Sequence, residues 1–143
     1  MENLLNIFSS LQEEFGGGIF LLGLFLLLVG AVGKWKLFEK ANQPGIAAII
    51  PIYDVIVTLR IVGRPDWHIL LMLIPGFNIY FMFKLLIELI QSFGHFSVID
   101  YVMAVVFNIF YVLNMGLAYN EEYYGPVYGR SRQEVLARKP QFA

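Results

Sequence analysis

The sequence has no cysteine, which removes thiol catalysis, disulfides and every cysteine-built zinc or iron–sulfur site from consideration. It holds only two histidines, His68 and His95, too few for a histidine-rich metal centre. Neither a His-Glu-x-x-His pattern nor a glycine-rich phosphate loop occurs. Charge is scarce: 15% of residues are charged and the net charge is −1, so nucleic-acid binding through the phosphate backbone has no electrostatic support. No lysine or arginine precedes Lys34, and this missing positive region argues against a cleaved secretory signal.

Apolar side chains fill the space left by these absences. They make up 58% of the residues, with mean hydropathy +0.65. A soluble domain averages about 45–50% apolar and about 25% charged. The surplus exceeds what a core of this size can bury, so the expected class is an all-α, polytopic helical membrane protein with the lipid bilayer as its first partner. No cofactor or metal is expected.

Residues 2–15 place Leu4, Leu5, Phe8, Leu11 and Phe15 on one helical face. They predict an amphipathic interfacial helix over 1–16, broken by Gly16-Gly17-Gly18. A first span follows over about 17–37, long enough to cross ~30 Å of hydrocarbon. Gly23, Gly30 and Gly33 on it could let another helix approach closely. Lys34, Lys36 and Lys40 then mark the cytoplasmic side, which puts the N-terminus outside.

The stretch from Trp35 to Trp67 departs most from a plain lipid anchor, because it sets Pro44, Pro51, Pro65, Asp54, Arg60 and Arg64 among apolar residues. Residues 46–63 either cross, giving four spans, or dip in and return, giving three spans plus one embedded or re-entrant proline-containing helix. The dip keeps all the basic clusters on one side, and charge bias favours it. Gly63-Arg64-Pro65-Asp66-Trp67 reads as a turn with Arg64 and Trp67 anchored at headgroup depth.

Residues 67–90 form the next expected span, kinked at Pro75-Gly76 with Asn78 close behind; Lys84 and Glu88 are placed to pair at i,i+4. Gln91 to Asp100 reads as an outside turn and 98–119 as the last span, its face of Asn108, Tyr111 and Asn114 turned toward protein. The membrane domain thus covers 17–119, and a polar cytoplasmic tail covers 120–143. In the tail Tyr123, Tyr124 and Tyr128 suit an interfacial belt, and Ser131 to Glu134 forms a capping box opening a short helix that ends at Pro140. Ser97 and Ser131 are expected on opposite faces.

The run WKLFEKANQPGIAAIIPIYD, with Tyr53 beside Asp54, then IVGRPDW, LIPGFN and SFG, resembles a family of small bacterial membrane domains of unknown function. It is also similar to the membrane region at the front of the long form of bacterial signal peptidase I. The resemblance covers roughly Trp35 to Tyr119, and two positions depart from it: Asp54 stands where Asn is usual and Asp66 where Trp is usual. It implies a bacterial inner-membrane location with the C-terminus inside. The peptidase's catalytic part has no counterpart here. The expectation is therefore a non-catalytic subunit or scaffold of a larger membrane complex, packed against other membrane-protein subunits, with protein export or processing as the association the resemblance implies. The alternative is a small oligomeric transporter or channel in which Asp54 pairs with Lys84, with Arg60 and Glu88 as further intramembrane charges.

Overall fold

The computed structural model describes residues 1–138, and among them it is all-helical. Lys139 and Pro140, assigned above to the tail and its helix stop, lie outside the described residues. The dominant element is α1, one unbroken helix from Glu2 to Lys40. The expected break at Gly16-Gly17-Gly18 does not occur. Each glycine costs about 1 kcal/mol relative to alanine inside a helix, but Leu, Gln and Glu around them are good helix formers. A backbone in hydrocarbon also has no partner but itself. At about 1.5 Å per residue α1 is ~58 Å long. It is apolar and long enough to cross a membrane, and no residue of its most apolar window is buried.

From Gly45 to Leu117 the chain forms three short hairpins. A 3-10 turn at Gly45–Ile49 leads into α2 (Pro51–Val62), and a longer 3-10 segment at Asp66–Leu73 leads into α3 (Phe77–Ser92). Helix α4 (Val98–Val106) leads into α5 (Asn108–Leu117) through a bend of 114° at Phe107. The expected spans over 67–90 and 98–119 are thus each divided, and among the described residues no helix after α1 has the length to cross by itself: α3, the longest of them, measures ~24 Å against ~30 Å of hydrocarbon. Pro51 does not kink a helix; it occupies the first position of α2, where a missing N–H costs nothing.

The three tips lie together. The first turns of α2 and α3 and Asn108 at the start of α5 line one cavity with Lys34 of α1. Each tip also keeps its backbone hydrogen-bonded across the break. Asp54 N donates to Ile50 O, Asn78 N to Ile74 O and Tyr111 N to Phe107 O. The side chains at the tips are apolar and exposed: Ile50 and Ile52, Leu73 and Phe77, Val106 and Phe110.

The opposite ends of the hairpins are joined by the extended segment 119–131, a strap. Tyr124 N donates to Ser92 O at the end of α3, while the Val127 and Tyr128 amides share Val62 O at the end of α2. Tyr123 is buried and donates its hydroxyl to Ile61 O, so it is a strap anchor and not a residue of an interfacial belt. Gly63 closes α2 at φ +84°, and a Cβ there would collide with Pro126 of the strap, which leaves room for glycine alone. The capping box at Ser131 is present and opens α6 (Arg132–Leu136).

This arrangement corrects the expected sidedness of the 91–97 turn. His95 reaches Glu121, and the Arg132 guanidinium lies 5.9 Å from the Phe96 ring, so Ser97 and Ser131 sit on the same end of the bundle. The α1–α5 contact also differs from the expected polar face. Val112, Met115 and Gly116 are buried on it, whereas Asn108 and Asn114 are exposed. A Cβ on Gly33 would lie 2.7 Å from Leu113 Cα, and one on Gly116 would strike the Gly33 carbonyl. The two helices therefore meet backbone to backbone, as small-residue membrane interfaces do.

Candidate functional site

The most unusual local chemistry centres on Asp54. Proline at the first position of α2 places Asp54 in its first turn, where the helix dipole favours a carboxylate. Its partner is Lys34 of α1, Nζ to Oδ2 at 2.6 Å, with both side chains largely covered. The expected pairing with Lys84 is not made. Lys84 lies on α3 with its ammonium 6.0 Å from the centre of the Tyr80 ring, beside a separate shallow pocket.

The Lys34–Asp54 pair forms a wall shared by two cavities. One, of about 350 Å³, is lined by Val55 and Thr58 of α2, Met82 and Leu86 of α3, and Asn108. The other, of about 670 Å³, runs along α1 past Leu27, Ala31 and Trp35 to Ala48, Ile49 and Pro51. Thr58 returns its hydroxyl to the Asp54 carbonyl and so does not serve the carboxylate. Oδ1 of Asp54 is buried and meets no hydrogen-bond donor among the described residues.

A second buried pair lies at the strap end. Arg64 grips Glu88 through two bonds, Nε to Oε2 at 2.5 Å and Nη2 to Oε1 at 2.6 Å. The guanidinium also stacks 4.4 Å from the Tyr128 ring centre and lies 3.3 Å from His68 Nδ1. Arg64 is 8% exposed, so it is a structural clamp and not the headgroup anchor expected of it. Glu88 consequently does not pair with Lys84. Trp67 does lie exposed, edge-on to His68. Arg60 makes a solvent-facing pair with Asp66 at 3.0 Å. Pro44 and Pro65 precede the two 3-10 segments, Pro75 stands at the tip before α3, and Asn78 and Tyr53 are half-buried near the tips.

Sequence reasoning missed a third cluster. His95 Nε2 lies 2.8 Å from Glu121 Oε2 and its Nδ1 lies 3.5 Å from Asp100 Oδ2. Tyr111 donates to the other Asp100 oxygen at 3.0 Å. The bond to Glu121 outweighs burial and holds the imidazole pKa above its ordinary value, with Asp100 adding to the effect. Nearby, the Lys40 ammonium donates to the carbonyls of Met115 and Ala118 and so caps α5. Among the described residues no group of acidic or histidine side chains is arranged to hold a metal ion.

No curated protein and no solved structure matches this chain. Residues 46–126, which run from the first tip through the strap residue Pro126, match the model of a family of unknown function, DUF5684, and the chain belongs to that family.

Proposed function

We propose that this protein is a non-catalytic integral membrane subunit. In this reading the apolar length of α1 that follows Glu14 crosses the bilayer, and the three hairpins dip into the cytoplasmic leaflet without crossing. The N-terminus lies outside and the strap inside. The observation that carries the reading is the polarity of the bundle: exposed Ile50, Ile52, Leu73, Phe77, Val106 and Phe110 at the tips, against the ion-paired strap end. Hydrogen bonds carried through each tip support it further, because irregular backbone at membrane depth needs its polar groups satisfied. Lys36, Lys40, Arg60, Arg64, Arg130 and Arg132 then fall on or near the strap side, as the positive-inside bias requires.

A domain of this kind presents surfaces and does not hold a reacting centre. The uncovered length of α1 and the tips are the faces available to other membrane subunits. The motif resemblance to the front of signal peptidase I makes a complex that handles exported proteins the first place to look. Purification in a mild detergent is expected to bring down a stoichiometric membrane partner, and a bare monomer under those conditions would remove the subunit reading. The absence of cysteine makes the topology equally testable. Ser97→Cys and Ser131→Cys are expected to react from the cytoplasmic side and Ser9→Cys from the outside.

One observation favours a second reading, a small transporter. The Lys34–Asp54 pair stands between two cavities, as a gating pair would. Lys84 has no part in it. Under that reading Asp54→Asn abolishes flux in liposomes while the protein still folds.

A further inference from the structure

We propose that the Lys34–Asp54 wall is the polar end of a binding site for an amphiphile whose head carries an O–H or N–H donor. The inference rests on the membrane placement above and concerns what the cavities take up once there. Three observations carry it together.

First, Asp54 presents a buried acceptor, Oδ1, which no protein donor reaches. Its other oxygen is taken by Lys34, and Thr58, the nearest hydroxyl on the same helix, is turned back to its own backbone. Buried polar atoms are almost always satisfied, and a carboxylate oxygen left unpaired in apolar surroundings is costly. An acceptor of this kind is matched by a donor, not by an anion.

Second, the space beside the pair is shaped for a hydrocarbon chain. The cavities measure about 350 and 670 Å³, within the ~300–1,000 Å³ of small-molecule sites. Their walls are Leu, Ile, Val, Met, Ala and aromatic side chains, with polar groups only at Lys34, Lys36, Asp54, Thr58 and Asn108. A chain can lie along α1 past Leu27 and Ala31 while its head meets Asp54.

Third, the charge pattern selects the head. Lys34 already neutralises the carboxylate, so a full second cation is not required, and a neutral hydroxyl or amide suffices. A choline head offers no N–H or O–H and leaves Oδ1 unserved. The donor could come from a bulk phospholipid headgroup such as ethanolamine or from a minor single-chain alcohol.

The test uses the full chain in nanodiscs of phosphatidylcholine, doped in separate arms with phosphatidylethanolamine or a long-chain primary alcohol. Native mass spectrometry after release from the disc reads what is carried. The expected result is preferential retention of one doped amphiphile over phosphatidylcholine, and the arm in which it occurs identifies the source. In the double variant K34M/D54L retention is expected to fall about tenfold, the equivalent of one charge-assisted hydrogen bond. Ala31→Phe, which narrows the larger cavity and leaves the pair intact, is expected to lower retention as well.

Three results overturn the proposal. They are equal retention by the natural and variant chains, phosphatidylcholine carried as well as the donor lipids, or nothing carried by the natural chain. Extraction at alkaline pH separates this failure from failure of the membrane placement. A chain that stays in the membrane pellet yet carries nothing loses only the amphiphile site. A natural chain released by carbonate loses both. If either variant fails to insert, the natural chain's preference between the doped arms and phosphatidylcholine still decides the question.

Discussion

Two lengths of one helix, α1, are put to opposite use. Residues 2–28 of α1 expose nearly every large side chain they carry, from Leu4 and Phe8 to Phe25 and Leu28. From Gly33 onward the same helix is covered: Leu37 and Phe38 are fully buried, Gly33 receives the backbone of α5, and Lys40 caps it. The first region buries none of its side chains and relies on the helix's own backbone bonds. The second owes its position to specific contacts, which single substitutions can break. Stability and solvation are thus assigned to different lengths of one helix.

That contrast can be broken most severely at the strap end. Removing one member of a buried ion pair leaves an uncompensated charge, so Glu88→Ala is expected to cost about 3–5 kcal/mol in thermal unfolding in detergent. The double change R64M/E88L should recover most of that loss. By comparison, Asp66→Ala, which frees the exposed Arg60, should cost less than about 1 kcal/mol. Next in size, Gly33→Leu forces α5 away from α1 and should cost about 3 kcal/mol by overpacking. Gly23→Leu, whose Cβ meets nothing within 4 Å, should leave the melting temperature unchanged.

A smaller effect follows pH. The His95 pKa is raised in the folded protein by Glu121 and Asp100, so the cluster's contribution is fully present below the ordinary histidine value of about 6.5. It fades as pH rises through the higher folded value. Melting temperature measured across pH 6 to 9 should therefore decline more steeply for the natural chain than for His95→Gln. The smallest effect on stability, and the sharpest on topology, is expected from the single cysteines at Ser9, Ser97 and Ser131, which should fold normally and label two-to-one across the membrane.

Much of the architecture was legible in the residues. The uncharged run after Gly18 announces α1, and the prolines at 51 and 75 mark where hairpins turn. The bend at Phe107 was invisible because no proline or glycine sits there. The partners were the main loss. Helical spacing offered Lys84 to Glu88, but the planar fork of Arg64, distant in sequence, makes two parallel bonds that a lysine cannot. Asp54 takes Lys34 because the 3-10 turn at Gly45–Ile49 packs on α1 and brings the first turn of α2 back to it, a reversal with no periodic signature. The strap escaped notice for the same reason: an extended segment rich in tyrosine, glycine and proline has no repeat to detect, so Tyr123 passed for a belt residue.

The strap follows every hairpin in chain order, and this has a consequence for biogenesis. Until residues 123–128 leave the ribosome, Val62 O and Ser92 O lack the amides that later bind them, and Gly63 has no Pro126 against it. The hairpins must therefore be made before the clasp that fixes their spacing exists. During that interval the domain can still adjust to whatever neighbour or lipid occupies it, and closure of the strap then makes the arrangement permanent.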